Sequence, residues 1–352
     1  MKLLFLVKTY HDADKFFEKK ISTIKDKNYK ETNKIFCDFY CNWLSEFYIK
    51  LEENYDCEVI FPNNIELIES IKCKQTKKKY FEYLNYIFND FKPDILISNT
   101  ESQNFISKIN LKNSYKILWK SSKISKNDII FKENLFNHIL SDNEEIINIT
   151  NSNKVNGSSL LISVPDRILN YMEFNTRESK IFFTGSLGLE YVDRKKILYA
   201  LLKSNINLEI RSRDLKEYKN YIGKIIDQIL SILFKKKRLS YHSKNPFYGI
   251  ELFKYMGQFK YILNTHSDFD KNNAINLRVF ESLSQGCLLF TDQNLKMDKY
   301  FKKNEHLIVY KNKQDLIKKI LFYEKNQDLA SNISKNGFDQ IKKKHTTSIR
   351  IK

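Results

Sequence analysis

Residues 259–292 hold one complete structural unit. Phe259-Lys260-Tyr261-Ile262-Leu263 is an apolar run that ends in Asn264-Thr265-His266, and a polar loop follows. Then come Asn276-Leu277-Arg278-Val279-Phe280-Glu281-Ser282-Leu283-Ser284-Gln285-Gly286 and Cys287-Leu288-Leu289-Phe290-Thr291-Asp292. The outer runs are short, continuously apolar and bounded by polar residues, as strands buried on both faces are. Between them, Ile275, Val279 and Leu283 recur at i, i+4 and i+8, which predicts a helix over 275–285 with one face on a sheet. Gly286 suits the left-handed residue that closes such a helix. Strand, helix and strand in that order form a right-handed parallel crossover.

The same alternation extends outward. Strands are expected at 180–184 and 208–210, and helices at 194–202, 247–258 and 315–323. In the first half, strands are expected at 3–7, 57–61, 95–98, 117–119, 139–140 and 160–164. Apolar residues from Ile35 to Leu51 keep helical spacing, and a further helix is expected at 79–91. All eight glycines lie at or after Gly157, and residues 151–159 are polar and turn-forming. The domain boundary is therefore expected near 165, giving an N-terminal domain over 1–165, a C-terminal domain over 166–340 and a closing segment over 341–352. The fold class is α/β: two doubly wound domains, with ligands expected at the carboxyl ends of strands and in a cleft between the domains.

Composition narrows the function. The 352 residues carry a net charge of +18, with 42% hydrophobic and 14% aromatic residues, enough for two cores. No apolar run approaches the ~20 residues of a spanning helix. Leu3–Val7 is too short for a signal-peptide core and reads as a buried strand. The five cysteines (Cys37, Cys41, Cys57, Cys73 and Cys287) contain no C-x-x-C pair, which implies free thiols in a reducing, cytoplasmic setting. Basic runs at 77–79, 235–238 and 342–344 sit in no nucleic-acid module, so no specific nucleic acid is expected. They read as a solvated basic surface, or as a face attracted to an anionic partner such as the inner face of a membrane.

Chemistry concentrates on the predicted helix at 275–285. Its N-terminus offers unpaired N–H groups and a positive dipole end, which suits a phosphate. Arg278 in the first turn can grip a diphosphate through its planar fork. Glu281, one turn on, can accept hydrogen bonds from the vicinal hydroxyls of a ribose. An ordinary surface i, i+3 ion pair would look the same in isolation.

Residues around that pair resemble the spore-maturation-protein branch of the group-1 glycosyltransferases, which have the GT-B fold. Asn264, His266, Asn276, Arg278, Phe280, Glu281, Gly286, Thr291 and Asp292 fit its signature. Phe182-Phe183-Thr184-Gly185-Ser186 followed by Arg194, Tyr248-Gly249-Ile250-Glu251, and Gly337 with His345-Thr346 and Arg350 resemble its flanking pieces in order. The resemblance covers roughly 180–352; over 1–165 it is architectural only. It implies two Rossmann-like domains and a transferase that takes its sugar from a nucleotide-diphosphate donor held by the C-terminal domain. Arg278 would meet the diphosphate, Glu281 the ribose and Gly185-Ser186 the phosphate side, with Asn264, His266 and Asn276 beside the donor. The implied acceptor is a saccharide, a lipid-linked acceptor or a protein, in surface glycan or glycoprotein assembly.

Two departures bear on mechanism. Asn273 stands where many relatives carry a second Glu, and the loop after the first strand lacks glycine. His11 and Asp12, just past that strand, are the candidate general base for an inverting transfer, and Glu101 is a weaker one. Asp268 and Asp270 form the nearby D-x-D spacing but lie in a polar loop, so a metal-independent transfer without a cofactor is expected. Two alternatives remain at this stage: a non-catalytic polyanion binder, and a sugar-nucleotide epimerase of the same fold.

Overall fold

A computed structural model describes residues 1–9, 23–24, 27–65, 74–101, 103–121, 124–171, 177–188, 191–212, 225, 229, 239–266 and 275–352. The chain divides into two compact units. The first holds Met1–Pro165 with Tyr248–Ile250 and Arg350–Lys352; the second holds Asp166–Phe247 and Glu251–Ile349.

The first unit carries a six-stranded sheet in the order β2-β1-β3-β4-β5-β6, parallel throughout. Its strands are β1 (Lys2–Leu6), β2 (Asp56–Ile60), β3 (Ile95–Ser98), β4 (Tyr115–Trp119), β5 (His138–Ser141) and β6 (Asn156–Ser159). Helices α1 (Tyr29–Tyr40), α2 (Trp43–Leu51), α3 (Lys74–Asn89) and α4 (Glu144–Ser152) connect them, with shorter turns between. β1 is an interior strand, paired on both sides, and its Leu3–Leu6 run is buried, as a strand covered on both faces requires.

Two local readings change here. The apolar run from Ile35 to Leu51 is two helices, because Cys41 takes a left-handed conformation (φ 47°) that ends α1. Asn42 then restarts the chain, its side chain accepting from Leu44 N–H at the head of α2. The sixth strand is not the apolar Leu160–Val164 but the polar Asn156–Ser159. It lies at the sheet edge, where one ladder with β5 and a bond from Gly157 N–H to Asn151 Oδ1 (2.8 Å) suffice without two apolar faces.

The second unit repeats the plan with β7 (Glu178–Thr184), β8 (Leu208–Arg211), β9 (Ser243–Lys244), β10 (Phe259–Leu263), β11 (Leu288–Asp292) and β12 (Ile308–Tyr310). Their order is β12-β11-β10-β7-β8-β9, again all parallel. Its longer helices are α5 (Val192–Lys203), α6 (Gly249–Met256), α7 (Leu277–Ser284), α8 (Lys313–Lys325) and α9 (Gln327–Lys344). One continuous core joins Ile181, Phe183, Leu198, Leu263, Phe290 and Ile333. Gly286 closes α7 at φ 60°, the left-handed position expected for it.

Helix α9 crosses α7 at Gly337, where a Cβ would stand 2.4 Å from His306 O and 2.8 Å from Leu283 Cδ2. Backbone cannot yield there as a side chain would. Gly337→Ala is therefore expected to lower stability by about 2 kcal/mol through overpacking, read as a lower urea midpoint at unchanged m.

Candidate functional site

Strand order locates the site. In the second unit β7 and β10 are neighbours, yet the chain leaves them toward opposite edges, which makes this pair the topological switch point. Ligands of doubly wound sheets sit in the crevice beyond the carboxyl ends of such strands. The residues just past those ends are Gly185-Ser186 after β7 and Asn264-Thr265-His266 after β10.

Arg194, in the first turn of α5, ties the two loops together. Its Nε donates to Thr265 Oγ1 (2.7 Å), Nη2 to Thr265 O (2.8 Å) and Nη1 to Ser186 O (2.9 Å). The guanidinium also lies 4.4 Å from the Tyr191 ring centroid and 5.9 Å from that of Phe183. It is 7% exposed, so the bonds are made in a low-dielectric setting where they are strong. The space beside Gly185 is shaped by the same side chain, since a Cβ there would lie 3.5 Å from Arg194 Nη1.

A second set of bonds runs from β10 to α7 and β11. Asn276 caps α7, its Oδ1 accepting from Arg278 N–H (3.0 Å). Its Nδ2 donates to Asn264 Oδ1 (3.0 Å), and Asn264 Nδ2 donates to Thr291 Oγ1 (3.0 Å). The Tyr310 hydroxyl donates to Asn264 O (3.1 Å), and burial, helped by nearby Asp292, pushes that phenol well above its ordinary range. His266 meets Asp292 twice, through backbone N–H to Oδ1 (2.9 Å) and ring Nδ1 to Oδ1 (2.6 Å). Asn264, His266, Asn276, Thr291 and Asp292 are thus one hydrogen-bonded group at the carboxyl edge of a single sheet.

Arg278 and Glu281 are not a solvated surface pair. Arg278 Nη1 donates to Glu281 Oε2 at 2.6 Å, with side chains 17% and 11% exposed. Burial raises the Glu281 carboxyl above its ordinary pKa, and the Arg278 charge opposes that rise. Helix α7 is enclosed because α9 and β11 pack against it, a tertiary effect that i, i+3 spacing does not reveal.

His11, Asp12, Cys73, the run at 235–238, Asp268, Asp270 and Asn273 fall outside the described residues. Glu101 forms an ion pair with Lys120, so it is held in structure. Cys37, Cys41, Cys57 and Cys287 are free thiols, and burial raises Cys287 to about 11, far from reactive. Within β8, Glu209 receives Lys244 Nζ (3.0 Å) and Tyr255 Oη (2.9 Å) and faces Arg211 at 3.2 Å. Burial works to raise that carboxyl, but these partners together hold it below its ordinary range.

Sequence reasoning treated Arg194 only as part of a motif. Its role depends on β7 and β10 being adjacent, and nothing at residue 194 announces a partner at Thr265.

The chain has the GT-B fold, built from two Rossmann-like α/β domains. Residues 196–352 match the glycosyl transferase-like family. No curated protein is significantly similar in sequence. Among solved structures, the chain is similar to Anabaena HepE in complex with UDP and glucose, at TM-score 0.59 and 11% identity over 99% of this chain and 97% of that one. It is similar to a glycosyltransferase from Rickettsia africae ESF-5 at TM-score 0.54 and 13% identity, over 99% and 95% of the two chains. Sucrose-phosphate synthase from Thermosynechococcus elongatus matches at TM-score 0.59 and 8% identity, over 100% and 97%.

Proposed function

We propose that this protein is a nucleotide-sugar-dependent glycosyltransferase of the spore-maturation-protein branch. The observation that carries the proposal is the Arg278–Glu281 pair on α7, beside the switch point of a sheet whose domain matches a glycosyl transferase-like family. The Arg278 fork meets the donor diphosphate at the capped N-terminus of α7, where helix dipole and guanidinium act on the same charge. Glu281 takes the ribose hydroxyls, and Gly185-Ser186, Asn264, Asn276 and His266 line the donor side.

Transfer breaks the bond between the anomeric carbon and the diphosphate, so negative charge grows on the leaving group. Arg278 and the dipole of α7 stabilise that charge without a metal ion. His11 or Asp12 takes the proton of the acceptor hydroxyl if the transfer inverts. The acceptor is a saccharide, lipid-linked or protein hydroxyl in surface glycan assembly, and the protein works in the cytoplasm. Among the described residues, no helix is long and apolar enough to cross a membrane. The Lys342–Lys344 run at the end of α9 supports a peripheral contact with anionic lipid.

Melting the protein with UDP, GDP and a panel of their sugar conjugates tests this reading. One nucleotide family is expected to raise Tm by several degrees at about 100 times its Kd, in line with roughly 2.7 kcal/mol of linkage. A flat response across the panel refutes it.

A further inference from the structure

His266 is 4% exposed, yet its ring Nε2 is buried with no hydrogen-bond partner among the described residues. The other ring nitrogen, Nδ1, is 2.6 Å from Asp292 Oδ1, which also accepts the His266 backbone N–H at 2.9 Å. A carboxylate only accepts, so the short contact places the proton on Nδ1. In the Nδ1–H tautomer that Asp292 favours, Nε2 presents a lone pair. Buried polar atoms are nearly always satisfied, and an orphan at a strand's carboxyl end beside a switch point calls for an explanation.

We propose that Asp292 is a positioning residue that fixes the tautomer of His266, so that Nε2 accepts a hydrogen bond from a hydroxyl of the transferred sugar. The inference rests on the donor-binding reading above and adds to it which part of the donor His266 meets. A lone pair selects a group that carries a hydrogen. Diphosphate oxygens carry none at neutral pH and are served by Arg278, whereas sugar hydroxyls are donors as well as acceptors. The surroundings hold the ring in place: Arg194 fixes Thr265 on one side, and the Asn276–Asn264–Thr291 bonds fix the strand ends on the other.

The test compares bare nucleotides with their sugar conjugates. Binding of UDP, UDP-glucose, UDP-N-acetylglucosamine, GDP and GDP-mannose is measured by calorimetry on the wild type, His266→Ala, Asp292→Ala and Asp292→Asn. The conjugate that binds the wild type best is expected to lose about tenfold in affinity in both alanine variants, while its bare nucleotide stays within about twofold. Retained nucleotide binding also shows that the variants fold. Asp292→Asn keeps a carbonyl oxygen for the two donors that converge on Oδ1, so it should recover most of the loss. Equal losses for nucleotide and conjugate, or no loss, overturn the assignment to a sugar hydroxyl. A wild type that binds none of the five overturns the donor reading itself, and the inference falls with it.

Discussion

Arg278→Ala should reduce donor turnover, measured as release of the nucleotide, by about 10²- to 10³-fold, with kcat taking most of the loss. In the proposed site the guanidinium would act where charge appears as the glycosidic bond breaks, so its contribution would be larger in the transition state than in the ground state. A loss of that size corresponds to roughly 3–4 kcal/mol, typical of one preorganised donor to a developing oxyanion. Arg278→Lys keeps the charge and loses the fork, and about a tenfold deficit should remain. Assays belong well below the melting temperature of each variant, because the same substitution also weakens the fold. If UDP-family and GDP-family donors turn over equally well with alanine at this position, the diphosphate is not held by α7.

The weakening of the fold is the second expectation. Arg278 and Glu281 are paired at 2.6 Å with little solvent around either, so removing the cation strands a buried carboxylate. The cost should be about 3 kcal/mol at pH 7.5. The pH dependence has a definite sign. Burial already holds the Glu281 pKa above its ordinary value in the folded state, and Arg278 is what limits the rise. Without Arg278 the folded pKa climbs further while the unfolded pKa stays put. Between the two values the folded chain binds more protons, so stability is retained in acid and lost as pH rises through the folded value. Urea midpoints of the Arg278→Ala variant should therefore increase on going from pH 7.5 to pH 5.5. Adding Glu281→Gln should restore most of the stability at pH 7.5 without restoring turnover. A pH-independent deficit would place the lost energy in packing instead, for example in the contact of the Arg278 fork with Met256 Sδ.

These expectations differ in how much of their basis a reader of the sequence could have had. The β10–α7–β11 unit was legible because burial on both faces writes apolar runs, and packing on a sheet writes a period near 3.6. The break between α1 and α2 was not, because a left-handed Cys41 leaves the hydrophobic spacing intact on both sides. Strand β6 was not, because an edge strand with one ladder needs no apolar signature. Arg278 and Glu281 were visible as a pair; their enclosure was not, since it comes from α9 and from the glycine crossing at Gly337.

What the sequence alone determined is the α/β class, the place of most of its strands and helices, and the residue types able to meet a diphosphate and a sugar. Each of these is set by neighbours within a few turns of chain, where spacing and side-chain chemistry are enough. Tertiary structure decided the rest: that β7 and β10 lie side by side, that Arg194 bonds Thr265 across 71 positions of chain, and that Asp292 takes one nitrogen of His266 and leaves the other open. Those pairings depend on the order in which strands enter the sheet, which long-range burial selects and no local pattern records.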